Sequence, residues 1–239
     1  MNAFSNVYED NERADSYAKL EFPNTYYLAY RDIPELLRKY KNSGRVLDFG
    51  CGTGRSSRFI RKLGFDVVGV DISKDMVQKA RKLDPSGDYR CIKNGDFEEF
   101  EVGSFDIVLS IFTFDNIPGI ENRLNLLNGL SDLLNEGGIL VLLDSTPEIY
   151  YHEWASFSTK DFTENRNAKS GGRVKIIMTD VNDSRPVDDI MWFEEDYLNL
   201  FTRVGLKVLE IHKPLGRKDE SIAWVNETVI PPWVIYVLK

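Results

Sequence analysis

Three carboxylates and three glycines, set at the ends of short apolar runs, are the residues whose types and spacing point to chemistry. Val46-Leu47-Asp48-Phe49 leads into Gly50-Cys51-Gly52-Thr53-Gly54, Val67-Val68-Gly69-Val70 ends at Asp71, and Gly95-Asp96-Phe97 follows a third run. A glycine has no Cβ, so the turn can take φ > 0 and its backbone can come close to a ligand. A helix starting just beyond offers unpaired N–H groups to an anion such as a carboxylate. Asp71, 21 residues after Gly50, stands where an acid can accept both hydroxyls of a ribose. Asp96 stands where an adenine amino group would donate, with Phe97 as an apolar cover for the ring. Ligands of open α/β sheets bind beyond the carboxyl ends of the strands, and all three acids sit at such ends.

A nicotinamide enzyme would carry the third glycine of G-x-G-x-x-G at the position held by Arg55; here it comes one residue early, as Gly54. That argues against a dinucleotide. The turn alone would also serve as a tight connection with no ligand. Ser73, just past Asp71, reads as the cap of the next helix.

The elements that must hold these residues alternate in type. Arg45 to Phe49, Asp66 to Val70, Tyr89 to Lys93, Phe105 to Ser110 and Ile139 to Leu143 are short β-rich runs separated by helical segments. This order predicts an α/β fold with a doubly wound, mostly parallel sheet. Leu206 to Ile211 and Trp233 to Leu238 bring it to seven strands, after a helix over Glu194 to Val204 that stops at Gly205. Residues 16 to 41 read as helix, with Tyr26, Tyr30, Ile33, Leu37 and Tyr40 on one stripe. Pro34 interrupts it, and Asp32 with Glu35 resembles a capping box. Residues 145 to 190 break the rhythm and contain a strand at Val174 to Thr179, which predicts a small cap insertion. The chain thus reads as one domain over 1–239, with an N-terminal helical cover over 1–41 and the cap over 145–190.

With those residues in place, the stretch from 45 to 144 resembles the class I S-adenosylmethionine-dependent methyltransferases. VLDFGCGTG, VVGVDIS, NGDFEEF and SFDIVLS stand in the family's order and spacing. The resemblance implies a Rossmann-like fold with S-adenosylmethionine as cofactor and S-adenosylhomocysteine as product. It implies that Asp48 and the loop of Gly50, Cys51, Gly52 and Gly54 bind the methionine part, and Asp71 the ribose. Ile72 and Phe97 would flank adenine, Asp96 would meet its amino group, Met76 would belong to the same cofactor site, and Ser110 would start the substrate-facing loop. Tyr17 and Arg31 are candidates for closing over the cofactor by position. The stretch from Lys213-Pro214-Leu215 to Pro231-Pro232-Trp233 also loosely resembles the end of toxoflavin-type N-methyltransferases.

Methyl transfer from a sulfonium is an in-line displacement, and alignment of the two reactants supplies much of the rate, so a general base is optional. Asp115, His152 and Glu153 are the weak candidates for one. Phe112, Phe114, Tyr150 and Trp154 are candidates to line an acceptor pocket, against the alternative of core packing. Ile230-Pro231-Pro232-Trp233 falls near the C-terminus with Ile230 where a DNA amino-methyltransferase would need a polar residue, and reads as a stiff turn before the last strand.

Composition bounds the partners. The 239 residues are 42% hydrophobic and carry a net charge of −8, which disfavours nonspecific nucleic-acid or anionic-membrane binding. Arg55, Arg58 and Lys62 fall at helical spacing and read as a solvated face. Two cysteines 40 residues apart and two histidines give no metal-ligand spacing. The first residues show no signal-peptide pattern and no run approaches the length of a membrane span, so the expectation is a cytoplasmic protein. The leading reading is a methyltransferase for a small-molecule N or O nucleophile. The alternatives are a protein or RNA methyltransferase, and a noncatalytic protein that binds the same cofactor. Residue patterns assign no oligomeric state.

Overall fold

A computed structural model describes residues 21–93 and 95–239. Strands β1 (Arg45–Phe49), β2 (Asp66–Asp71), β3 (Asp88–Cys91), β4 (Phe105–Ile111), β5 (Leu134–Ser145), β9 (Val208–His212) and β10 (Trp233–Leu238) form one sheet in the order β3-β2-β1-β4-β5-β10-β9. The first five run parallel, and β10 is antiparallel to both of its neighbours. The order reverses between β1 and β4, which is where a doubly wound sheet opens a crevice at its carboxyl edge. The doubly wound, mostly parallel seven-stranded sheet read from the sequence is present.

Alternate strand residues face two apolar layers. Val46, Ile107, Val141 and Ile235 pack against α1 (Thr25–Arg31), α2 (Ile33–Arg38) and α3 (Arg55–Lys62). Leu47, Val68, Leu142 and Tyr236 pack against α5 (Ile120–Asp132) and α6 (Glu194–Val204). Helix α4 (Lys74–Leu83) lies over β2 and β3, with Val77 and Ala80 against Cys51 and Tyr89. Being covered on both faces is why the strands read as continuous apolar runs.

Several boundaries differ from expectation. Residues 21–24 are not helical, and the helix expected over 16–41 is instead α1 and α2, broken at Asp32. Pro34 lies in the first turn of α2, as its missing N–H favours. The expected capping box does not form, because the Asp32 carboxylate is taken by Arg31 at 2.7 and 2.8 Å and by His212 at 2.8 Å. Strand β5 begins five residues before Ile139 and continues through Gly137, whose φ of 82° no β-branched residue would tolerate.

Between β5 and α6 the chain builds a second, antiparallel sheet from β6 (Phe157–Ser158), β7 (Arg173–Met178) and β8 (Val187–Ile190). Only β7 was legible in advance; β8 is Val-Asp-Asp-Ile, whose acidic centre gives no strand signal. Val174, Ile176, Met178 and Val187 join the same apolar cluster as α1 and β10. A fully buried carboxylate fastens the joint: Glu227 Oε1 accepts from Thr25 Oγ1 at 2.6 Å and from the Ala155 amide at 2.7 Å. Among the described residues no helix is long and apolar enough to cross a membrane.

Candidate cofactor and acceptor site

The carboxyl ends of β1, β2 and β4 meet at the glycine loop. Gly50, Gly52 and Gly54 have φ of 75°, 53° and 80°, the left-handed region that their lack of a Cβ permits. They do different work. A Cβ on Gly50 would stand 2.2 Å from the Thr113 side chain, and one on Gly54 2.7 Å from the Tyr89 ring. A Cβ on Gly52 would meet nothing within 4 Å. The open space of the loop is therefore in front of Gly52, and α3 starts directly behind it at Arg55.

Of the two carboxylates beside this loop Asp48 is fully buried and Asp71 half-buried, and both are organised. Asp71 Oδ2 accepts from the Gly52 amide at 2.9 Å and Oδ1 from the Ser73 amide at 2.8 Å. Burial raises its pKa above the ordinary value, and those amides pull it back. Asp48 Oδ2 accepts from the hydroxyls of Ser56 at 2.6 Å and Ser57 at 2.5 Å, while Oδ1 has no partner. Its pKa is pushed up to about 6, by burial first and by the Asp71 charge, against the two serine hydroxyls. The serines were not read as site residues; their signal is two hydroxyls in the first turn of the helix that follows the loop.

Beyond Asp71, Ile72 is 51% exposed, an uncovered apolar side chain beside the acid. Asp96 is half-buried, and its Oδ1 accepts from the Glu98 amide at 3.3 Å. Phe97 is half-buried and lies against Gly129 of α5, where a Cβ would come within 2.9 Å of its ring. Thr113 closes the loop from β4, donating to the Gly50 carbonyl at 3.1 Å. Phe112, just before it, holds a φ of 55°, a conformation that costs a non-glycine residue about 1–2 kcal/mol.

Other expected site residues stand elsewhere. The Cys51 thiol turns inward against Val77, Ala80 and Tyr89, so only the backbone of Cys51 faces the loop opening, and burial raises the thiol pKa. Met76 is buried beneath α4. Ser110 lies inside β4, fully buried, so the loop after β4 begins at Phe112. Arg31 is held by Asp32, by Glu220 at 2.9 Å and by the Leu215 carbonyl at 3.0 Å, which ties α1 to the stretch before β10. Tyr17 lies outside the described residues. Arg55, expected on a solvated face, is buried, with its guanidinium 5.0 Å from the Tyr26 ring centroid and 5.6 Å from that of Tyr30.

The aromatic candidates divide. Phe112 is half-buried and meets Tyr26 and Trp233. Phe114, Tyr150 and Trp154 are interior packing, since Trp154 Nε1 donates to the Ile149 carbonyl at 2.9 Å and Tyr150 donates to Asp189 at 2.6 Å. Asp115 is also interior: its Oδ2 accepts from the Ser145 amide at 3.4 Å and its Oδ1 from Asn116 at 3.0 Å. His152 pairs with Glu148 at 2.9 Å, and Glu153 accepts from the Thr159 amide at 2.6 Å. None of these three groups faces the glycine loop as a free base.

A methyltransferase-domain family model matches residues 22–211. The chain belongs to that family. Its fold is that of the class I S-adenosylmethionine-dependent methyltransferases. An uncharacterized methyltransferase of Bacillus thuringiensis (strain Al Hakam) is 34% identical over 117 residues, 48% of this chain and 53% of the relative. The chain spans about half the length of the curated relatives it matches. An S-adenosylmethionine-dependent methyltransferase of Clostridium acetobutylicum ATCC 824 superposes with a TM-score of 0.63 at 15% identity, covering 98% of this chain and 96% of that one. A methyltransferase of Haloferax volcanii, in complex with the Trm112 methyltransferase activator, superposes with a TM-score of 0.66 at 17% identity, covering 97% and 95%. For this methyltransferase domain the fit to the cofactor rests on three features: the open space at Gly52, the unpartnered oxygen of buried Asp48, and the bare Ile72 beside Asp71.

Proposed function

We propose that this chain transfers the methyl group of S-adenosylmethionine to a small-molecule acceptor through an N or O nucleophile. The observation that carries this reading is the insertion between β5 and α6. Its end is fastened to the turn after β4 by Trp192 Nε1, which donates to the Asp115 carbonyl at 3.0 Å. An acceptor side bounded by such a wall favours a compact substrate over an extended polymer. The net charge of −8 supports the same reading.

In this reading the glycine loop and Asp48 hold the methionine part, Asp71 the ribose, and Ile72, Asp96 and Phe97 the adenine. When bound, the cofactor supplies an electrophilic methyl on a sulfonium. The chain's own task is to align the acceptor and exclude water, because oriented reactants alone lower a barrier by roughly 7–11 kcal/mol. With Asp115 buried, and His152 and Glu153 paired, none of these three candidates stands ready to take a proton, which fits an acceptor amine or acidic hydroxyl that sheds its own.

The test is a titration with S-adenosylmethionine, S-adenosylhomocysteine and NAD, followed by methyl-transfer assays on amines, phenols, carboxylates, tRNA and protein. Binding of the first two ligands with turnover on a small molecule is the expected result. Turnover confined to tRNA or protein overturns the acceptor class, and binding of NAD alone overturns the cofactor assignment.

A further inference from the structure

The β1–β4 ladder ends at Phe49 opposite Ser110, so at Gly50 the two strands part and the crevice opens. From the β2 side the loop is held by backbone and by one acid: the Gly50 and Cys51 amides donate to the Val70 carbonyl at 2.8 and 3.0 Å, and the Gly52 amide donates to Asp71. From the β4 side a side chain holds it. The Thr113 hydroxyl lies 3.1 Å from the Gly50 carbonyl and 3.2 Å from that of Ile111, with one proton to give. The same side chain fills the space that a Cβ on Gly50 would need, 2.2 Å away.

What brings Thr113 back to Gly50 is a break in strand alternation. Ile107, Leu109 and Ile111 face the α1 layer and Val108 the α5 layer, so an extended Phe112 would point its ring to the α5 side. Its φ of 55° turns the ring back instead, with its centroid 5.8 Å from that of Tyr26 and 4.7 Å from that of Trp233. Both ends of the turn are tied: the Phe112 amide donates to the Leu143 carbonyl at 2.9 Å, and the Asn116 amide to the Thr113 carbonyl at 3.1 Å. A non-glycine residue keeps such a backbone only where its surroundings impose it, and such residues gather at functional sites. Glycine would make this turn without strain but without the ring that seats it.

We propose that Thr113, seated by the left-handed Phe112, is a positioning residue for the cofactor, which rests on the proposed role of the glycine loop in holding the methionine part. It fixes the Gly50 carbonyl and so sets the loop that opens in front of Gly52. Calorimetric titration of the full chain with S-adenosylhomocysteine and with 5′-methylthioadenosine, which lacks the amino-acid part, tests this beside thermal melting. Thr113→Val keeps the shape and removes the hydroxyl; it should weaken S-adenosylhomocysteine roughly tenfold and methylthioadenosine by less than roughly twofold. Thr113→Ser keeps the hydroxyl and should bind S-adenosylhomocysteine within roughly twofold of wild type. Phe112→Gly relieves the backbone but loses the ring, and should show the same selective loss at roughly threefold. Equal weakening of both ligands in Thr113→Val overturns the positioning role, as does a variant that melts lower yet binds both like wild type. Equal loss in Thr113→Ser and Thr113→Val overturns it too, and wild-type affinity in Phe112→Gly overturns the part given to Phe112. A wild-type chain that does not bind S-adenosylhomocysteine overturns the cofactor reading itself, and this role with it.

Discussion

The two halves of the sheet's carboxyl edge handle buried carboxylates in opposite ways. At β1 and β2, Asp48 and Asp71 are met by two hydroxyls and two amides, all from the loop or the helix turn next in sequence. At β4 and β5, Asp115, Asp144 and Asp189 crowd together, with few donors and one cation, Arg123, brought from a distant helix. Arg123 is fully buried, none of its nitrogens has a hydrogen-bond partner, and Phe114, Trp192 and Tyr197 surround it. A locally satisfied pair of acids makes a rigid cradle. A cluster of three acids with a single buried cation beside it makes the fold depend on that one residue.

The largest expected effect follows from that dependence. Arg123→Met removes the positive charge from the cluster and should cost about 3–5 kcal/mol of stability at neutral pH, as breaking a buried ion pair does. Denaturant unfolding measures it. The loss should shrink as pH falls through and below the ordinary carboxylate range, toward about pH 3, where the three carboxylates are mostly neutral in the folded and unfolded chain alike. A pH-independent loss would mean that Arg123 acts by packing alone, and the contrast between the two halves would fail.

Second in size, Asp71→Ala should weaken S-adenosylhomocysteine binding by more than roughly a hundredfold, about 2.7 kcal/mol, because it removes the acceptor proposed for the ribose and frees the Gly52 amide. Gly52→Ala sharpens the point. Its Cβ enters open space, so the chain should stay folded at the cost of about 1–2 kcal/mol of left-handed strain while losing cofactor affinity. Gly50→Ala, which drives a Cβ into Thr113, should destabilise the fold itself. Calorimetric titration beside thermal melting separates these outcomes.

The same contrast explains what could be read in advance. The cradle was legible because each part is local: an acid ends a strand, glycines turn, a helix begins, and all lie within one short stretch of sequence. The cluster was not, since it requires knowing which helical face meets which ladder position. Its signals are visible only afterwards. Arg123 is followed by Leu127 and Leu130 at steps of four and three, which puts an arginine on the apolar stripe of α5, and Asp144 ends an apolar strand just as Asp48 and Asp71 do. Asp189 and Glu227 gave no signal, because strand β8 and the partners Thr25 and Ala155 are joined only by tertiary packing.

A further effect separates the halves by pH. Burial, with the Asp115 charge adding to it, pushes the Asp189 carboxyl up to about 7. Between about pH 4 and 7 the folded chain therefore holds a proton that the unfolded chain has released. Stability falls as pH rises through that window, by up to ~1.4 kcal/mol per pH unit for one proton. Asp189→Asn keeps an acceptor for Tyr150 and should flatten the decline. Asp32 has the opposite sign: although burial raises it, Arg31 and His212 hold its carboxyl below the ordinary range, so it stabilises above about pH 4 and loses that contribution in stronger acid. Unfolding free energies across pH 3–8 for wild type and Asp189→Asn test both directions.

The smallest expected effect belongs to His152, and it bears on chemistry more than on folding. Its pair with Glu148 spans a single turn, with side chains 30% and 44% exposed, and pairs of this kind contribute about 0–1 kcal/mol. Were it the proton acceptor, His152→Ala would lower turnover by about 10²- to 10⁴-fold and remove an acidic limb from the pH–rate profile. A domain that works by alignment should instead keep turnover within about twofold on any acceptor found in the small-molecule screen. The rate limit would then rest on the cradle of β1 and β2, so that Gly52→Ala, far from any base, should slow methyl transfer more than loss of the imidazole does.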